Sequence, residues 1–217
     1  MNKKFGTDFV LHEIMSLTGG FLGTYTILSR SGVFASAQTG NVMRMVMALF
    51  EGDAFDLIVR MGALAMFALA LSVSWLMAHY TSCSMEKLCL LVDAAGLTMT
   101  ALLPQDMNPM LALYPLFIAA SFQWGTYSGA CGYNSASTFS TNNLKQCVWG
   151  WTEYAVTHEE KAKERAVFYT VTIFMFLTGA YLGCAAVYFW GTYGAFVGMI
   201  SLAAAFLVIR NRGKEKI

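Results

Sequence analysis

The sequence predicts an all-α integral membrane protein with about six transmembrane helices, and two observations lead to this fold class. First, 57% of the 217 residues are hydrophobic and only 12% are charged, whereas about a quarter of the residues in a typical soluble domain are charged. Second, apolar runs recur along the chain, each close to the length that crosses a roughly 30 Å hydrocarbon layer. A soluble fold of this length could not surround all of these runs with polar surface.

The six predicted spans form one membrane domain, residues 1–217, and occupy residues 11–28, 57–77, 88–103, 110–131, 167–190 and 195–209. If the N-terminus is cytoplasmic, eleven basic residues lie on that side: Lys3, Lys4, Lys87, Lys145, Lys161, Lys163, Arg165, Arg210, Arg212, Lys214 and Lys216. Only Arg30, Arg44 and Arg60 remain for the other side. This distribution follows the positive-inside rule, so we expect both termini in the cytoplasm. The lipid bilayer is the first expected partner, and a net charge of +1 gives no support for nucleic acid.

The chain repeats itself at a shift of 102 residues. This shift places Gly23-Thr24-Tyr25 on Gly125-Thr126-Tyr127, and Thr39-Gly40-Asn41 on Thr141-Asn142-Asn143. Between residues 21 and 51 it gives seven identities in 31 positions without a gap. Two motifs in one register indicate an internal repeat, with halves at about residues 8–104 and 110–210.

Each half therefore reads as a span, a polar helix break, a short helix and two further spans. We place the short helices at residues 42–50 and 144–155, and at about 1.5 Å per residue neither is long enough to cross a bilayer. Three crossings in each half would force the second half into the inverted orientation. If both short helices cross instead, the chain has eight spans and the repeat is parallel.

The two polar breaks, which we call the first tetrad (residues 38–41) and the second tetrad (residues 140–143), admit two interpretations. Thr and Asn are strong helix N-caps, and glycine allows tight turns. Interrupted helices at equivalent places in two halves are typical of a transporter binding site near the membrane midplane. Alternatively, both tetrads are capped turns at the membrane surface that join ordinary helices.

Two stretches, "GGFLGTYTILSRSGVFASAQTGNV" and "GYNSASTFSTNNLKQ", resemble the YoaK family of bacterial six-span inner-membrane proteins, a domain of unknown function. The resemblance covers most of the chain and implies a fold family and a multi-pass inner-membrane location. Gly23 stands where the family usually has an aspartate, so a carboxylate that could bind a proton or cation is missing. In the second stretch Asn142 replaces a usual glycine.

Other polar residues lie within the predicted spans. Asp93 lies deep in the third span, where a carboxylate is costly unless it is paired, protonated or hydrated, which makes it a candidate functional residue. Tyr25 and Tyr127 are equivalent under the repeat and are candidates for a shared role. We expect His12 and Glu13 to reach the cytoplasmic surface and to be structural.

The sequence favours a transporter or channel over an enzyme, because it contains no nucleophile and base pair, metalloprotease motif or phosphate loop. No Cys and His cluster with metal spacing occurs, and no cofactor is expected. The predicted solute is a small polar molecule, and an anion is the sharper expectation because helix N-termini carry positive potential. Its site would lie between the repeats and use Thr39, Gly40, Asn41, Thr141, Asn142, Asn143, Tyr25, Tyr127 and Asp93.

The alternative function is a non-transporting structural or partner-binding membrane protein, such as a homodimer. In that case the tetrads only terminate helices. Small residues could let spans approach one another closely, namely Gly179, Gly183, Ala185 and Ala186.

Overall fold

The computed structural model describes residues 6–30 and 32–214 and confirms that the chain is all-α apart from one short hairpin. The elements are α1 (Thr7–Ser29), α2 (Gln38–Glu51), α3 (Ala54–Tyr80), α4 (Met85–Leu102), α5 (Pro109–Ala112), α6 (Tyr114–Thr126), β1 (Gly129–Ala130), β2 (Tyr133–Asn134), α7 (Thr141–Thr157), α8 (Glu160–Trp190), a 3₁₀ helix (Gly191–Val197) and α9 (Gly198–Lys214). Three of the basic residues used to predict the orientation, Lys3, Lys4 and Lys216, lie outside the described residues.

Two helical segments of the described chain are long and apolar enough to cross a membrane, Ala54–Tyr80 and Glu160–Arg212. Within the first segment, only 33% of an 18-residue apolar stretch is buried inside the protein. In the second segment the buried share of such a stretch is 39%. The core helix of a soluble protein would bury most of such a window. The second segment contains α8, the 3₁₀ helix and α9.

Tight turns fold α2 back on α3 and α7 back on α8. Gly52 ends α2 in the left-handed conformation at φ 77°, and the Asp53 side chain then caps α3 by accepting from the N–H of Asp56 at 3.0 Å. His158 ends α7 in the left-handed conformation at φ 54°, and α8 begins two residues later. A left-handed residue satisfies the last carbonyls of a helix and reverses the chain. Each short helix therefore packs against the helix that follows it.

Helices α1 and α8 form the closest helix pair of the protein and run parallel. Glu13 accepts from Thr172, and further along both helices Gly183 approaches Phe21. A Cβ added to Gly20 would overlap the carbonyl of Phe176, and one added to Gly179 would overlap the carbonyl of Leu17. Small residues let two backbones approach in this way. The glycines at positions 179 and 183 therefore serve packing within the chain.

Two arginine side chains, one through ion pairs and one through hydrogen bonds to carbonyls, hold helix ends together at opposite faces of the bundle. The guanidinium of Arg212 in α9 pairs with Asp8 near the start of α1 at 2.6 Å and with Glu86 near the start of α4. At the other face, Arg30 follows the end of α1 and donates to the carbonyls of Thr100, Leu103 and Pro104 at the end of α4. The starts of α1 and α4 thus lie on the same face as the end of α9.

The long helices pack on partners that are distant in the sequence. Helix α1 packs against α8 and α9, while α6 packs against α3 and α4. A shift of 102 residues carries α1 onto α5 and α6, α2 onto α7, α3 onto α8, and α4 onto the 3₁₀ helix and α9. Under this shift, the contacts of α1 with α8 and α9 fall on those of α6 with α3 and α4.

Candidate functional site

Both tetrads lie at the start of a short helix, and neither helix has a side-chain N-cap within the described chain. Helix α2 begins at Gln38 after Ala37, and α7 begins at Thr141 after Ser140, with no capping hydrogen bond from either side chain. The expectation that threonine and asparagine cap these helices is therefore wrong. The helices start several residues earlier than the predicted bounds of 42–50 and 144–155, which places the Thr and Asn side chains inside the first turn.

The first-turn N–H groups of both helices consequently lack a partner within their helix. In α7 the first intrahelical bond runs from the N–H of Leu144 to the carbonyl of Ser140 at 2.8 Å. The N–H groups of residues 141–143 precede that bond, as those of residues 38–40 do in α2. Such groups, together with the positive end of the helix dipole, form a general anion-binding feature.

One cavity of about 810 Å³ lies where the two helix starts meet, and we call it the tetrad cavity. Its wall comes from α1, α3, α6, α8 and the segments leading into α2 and α7. The lining residues are Gly20, Gly23, Thr24, Ile27, Phe34, Ser36, Ala37, Gln38, Thr39, Phe67, Trp124, Phe139, Ser140, Thr141, Asn142, Lys145 and Phe176. A volume of roughly 300–1,000 Å³ is usual for a small-molecule site.

The charge in the tetrad cavity is positive. Lys145, one turn into α7, is part of the wall, and no Asp or Glu of the described residues lines it. The Lys145 ammonium also lies 5.0 Å from the ring centroid of Trp149 on the same helix. Two helix N-termini and the Lys145 side chain therefore line a space to which no acidic residue of the described chain contributes.

A buried hydroxyl in the cavity wall has no partner. Ser36 is 3% exposed and its Oγ makes no hydrogen bond with the described residues. Thr138, the equivalent of Ser36 under the 102-residue shift, is 1% exposed and its hydroxyl is also without a partner. Buried polar atoms are normally hydrogen-bonded, and these two hydroxyls are exceptions among the described residues. Ser36 lines the tetrad cavity, whereas Thr138 does not.

The predicted site residues divide into three groups. Thr39, Thr141 and Asn142 line the tetrad cavity. Gly40, Asn41 and Asn143 share the first turns of α2 and α7 but are not part of the wall. Asn41 and Asn143 are buried, and the Asn143 amide donates to the carbonyl of Ala136 at 2.9 Å, which holds the segment before α7.

The third group, Tyr25, Tyr127 and Asp93, lies away from the tetrad cavity. Tyr25 is fully buried and its hydroxyl donates to the carbonyl of Thr192 at 2.7 Å. Tyr127 lines a separate pocket of about 260 Å³ near the Arg212 ion pairs. Asp93 is fully buried, and the thiol of Cys89 donates to its Oδ2 at 3.6 Å. The two repeat-related tyrosines therefore make different contacts.

His12 and Glu13 are buried, which corrects the expectation that they reach the surface. His12 is 1% exposed with Nε2 3.0 Å from the Ser135 hydroxyl, and Glu13 is 5% exposed and accepts from Thr172 at 2.8 Å. Both belong to the face of α1 that packs against α8 and the segment after α6. Gln123 holds the same segment by donating to Ser137 at 3.1 Å and to the carbonyl of Met15.

Sequence reasoning missed Lys145 and Ser36 as cavity residues. The sequence analysis assigns Lys145 to the cytoplasmic side, and Ser36 is not among its candidate site residues. The signal for Lys145 was its position four residues after Thr141, which places it on the same helix face. Ser36 had no comparable signal, because a serine before a helix is commonly a turn residue.

The fold and the cavity define an all-α protein in which the starts of two short helices meet at one cavity. The chain belongs to the family described as "Protein of unknown function (DUF1275)", whose model matches residues 11–209. Searches of curated proteins and of solved structures found no match to the chain.

Proposed function

We propose that this chain is a multi-pass membrane transporter or channel for a small polar, anionic solute that binds in the tetrad cavity. The observation that carries the proposal is that two uncapped helix starts and Lys145 line one cavity to which the described residues contribute no carboxylate. Non-helical backbone at membrane depth occurs where it is buried in protein or lines a wet cavity. The proposal includes no catalytic step.

The six proposed crossings are α1, α3, α4, α6 with α5, α8, and α9 with the 3₁₀ helix before it. The position of the cavity supports this count. Phe67 lies at the middle of α3 and Phe176 beside the middle of α8, so the cavity, and the starts of α2 and α7 that line it, would lie at mid-depth. Trp151 of α7 donates to Thr170, so α7 packs along the first half of α8 only. Each of the two short helices, α2 and α7, would therefore start at mid-depth and extend to only one membrane surface, without crossing. Their exposed apolar side chains, among them Val46 and Val148, would face lipid.

The two halves are proposed to be an inverted repeat. Each contains three crossings and one half-helix, and an odd number of crossings reverses the second half. The helix contacts support the inverted repeat. The first crossing of each half packs against helices of the other half, α1 against α8 and α9, and α6 against α3 and α4. The solute site would then lie at the pseudo-symmetric centre.

We infer that both termini are cytoplasmic and that the membrane is a bacterial inner membrane. The starts of α1 and α4 and the end of α9 share one face through Arg212. Under the positive-inside rule this face is the cytoplasmic one. The bacterial location and the narrower assignment to the YoaK family follow from the resemblance of the two tetrad-containing stretches.

The structural or partner-binding alternative, such as a homodimer, has less support. Gly179 and Gly183, which could have formed a dimer surface, contact α1 of the same chain. No other observation favours this function over transport.

Anion binding by the purified full chain tests the proposal first. Chloride, acetate and benzoate should each be assayed for thermal stabilisation at one ionic strength, since a ligand at a hundred times its dissociation constant stabilises the folded state by about 2.7 kcal/mol. Lys145→Gln and Thr141→Ala should weaken the response. Arg44→Gln is the matched control, because Arg44 is exposed on α2 and does not line the cavity.

Flux through reconstituted liposomes tests the transport step. An anion that binds should enter protein-containing vesicles faster than protein-free vesicles, and Lys145→Gln should reduce the difference. Binding without flux would contradict transport. A protein that binds no anion and forms a stable dimer would support the partner-binding alternative instead.

A further inference from the structure

The tetrad cavity has aromatic walls beside its positively charged end. Five aromatic side chains line it, and each comes from a different segment: Phe34, Phe67, Trp124, Phe139 and Phe176. All five are buried or half-buried. This much aromatic surface exceeds what a small inorganic anion could contact.

Three of these rings form a cluster that leads directly to the start of α7. The ring centroid of Trp124 lies 6.2 Å from that of Phe67 and 5.1 Å from that of Phe139. The Phe139 ring meets Trp124 edge to face at 67°. Phe139 is two residues before Thr141, so the apolar wall adjoins the first-turn N–H groups of α7. Rings at these separations and angles also offer edge and face contacts to a further ring.

We propose, as a refinement that rests on the proposed function, that the solute is an organic carboxylate with a flat apolar body, best fitted by an aromatic ring. The carboxylate would lie at the α7 start, near Lys145, and the ring would lie against Phe139 and Trp124. A hydrated inorganic anion would lose water at the aromatic walls without gaining hydrogen bonds there. A carboxylate attached to a ring uses both parts of the cavity, and about 810 Å³ leaves room for substituents on the ring.

Isothermal calorimetry on the purified full chain, with benzoate, acetate, chloride and benzylamine as probes, tests this inference. Benzoate should bind about tenfold to a hundredfold more tightly than acetate, because the ring adds buried apolar area. Chloride should bind no better than acetate, and benzylamine should not bind, because its ammonium meets like charge. Phe139→Leu should weaken benzoate but not acetate, whereas Lys145→Gln should weaken both. Phe176→Leu provides a second wall variant if Phe139→Leu does not fold.

The outcomes separate the inference from the function on which it rests. Acetate or chloride binding as tightly as benzoate, with Phe139→Leu and Phe176→Leu without effect, would overturn the aromatic carboxylate and leave an anion site. Benzylamine binding as tightly as benzoate would overturn both the aromatic carboxylate and the anion site, because the positive charge of the cavity would then play no part in binding. Absence of binding by all four probes would also overturn both.

Discussion

Thr39 and Thr141, 102 residues apart in the sequence, line the same cavity, each in the first turn of a short helix. The 102-residue register in the sequence and the position in space thus pair the same two residues. A cavity wall built from equivalent positions of two halves is expected where an interrupted helix pair forms a binding site. The following predictions test the parts of this arrangement separately.

Thr39→Cys should react with a membrane-impermeant thiol reagent, and Val46→Cys should not, in a background whose five native cysteines are replaced. Both positions are exposed in the isolated chain and both lie on α2. Thr39 lines the polar cavity, whereas Val46 would face hydrocarbon, where a thiolate does not form. Mass spectrometry after labelling in vesicles measures the difference. Equal labelling of both positions would contradict the membrane placement of α2.

Ser36→Ala should weaken anion binding by about twofold to tenfold, the net value of one hydrogen bond, without lowering stability. Its buried hydroxyl has no partner in the described chain, so its removal breaks no hydrogen bond within the protein. Thr138→Val is the matched control, since it removes an equally buried and unpaired hydroxyl that does not line the cavity. Calorimetry and thermal unfolding of both variants check this. Weaker binding in Thr138→Val alone would exclude Ser36 as a ligand contact.

Gly20→Ala should destabilise the fold by about 1–3 kcal/mol, because the added methyl group overlaps the carbonyl of Phe176 in the α1 and α8 contact. Gly40→Ala should be neutral or stabilising by up to about 1 kcal/mol, because a Cβ there meets open space and alanine favours a helix. Thermal unfolding in one detergent compares the two variants. A Gly40→Ala protein less stable than Gly20→Ala would contradict the helix packing.

Arg30→Met should destabilise the fold by about 2–4 kcal/mol, because three carbonyls at the end of α4 lose a charged donor in a buried position. Methionine keeps the apolar stem of the side chain and removes the guanidinium, so the loss reports mainly on that group. Arg44→Met, at an exposed position, is the control. Denaturant unfolding of both proteins gives the comparison, and equal stability would show that the Arg30 contacts contribute little.

Asp93→Asn should leave the affinity for benzoate unchanged, because Asp93 is fully buried and does not line the tetrad cavity. The amide also fits the space of the carboxyl group. Calorimetry measures the affinity, with Lys145→Gln as the variant expected to lose it. A lower affinity in Asp93→Asn would mean that Asp93 contacts the solute in another conformation of the protein.

Local sequence signals predicted the type of element better than its bounds. The predicted span at residues 11–28 corresponds to α1 (Thr7–Ser29). The two short helices occur where they were predicted, but the structure starts each of them three or four residues earlier than the prediction. The tetrads were expected to lie outside these helices because Thr, Gly and Asn favour caps and turns. In the structure they form the first turn, and at α7 the Asn143 amide holds the preceding segment by donating to the carbonyl of Ala136.

By itself, the sequence determined the helical class, through its apolar runs, and it predicted the pairing of Thr39 with Thr141, through one register shared by two motifs. Apolar runs and repeated motifs are properties of the linear sequence, so they can be recognised without a structure. Only the tertiary structure decided that Lys145 and Ser36 join the cavity and that Tyr25, Tyr127 and Asp93 do not. Which face of a helix meets which neighbour depends on the parallel packing of α1 on α8 and of α3 on α6, and that packing is a property of contacts far apart in the sequence.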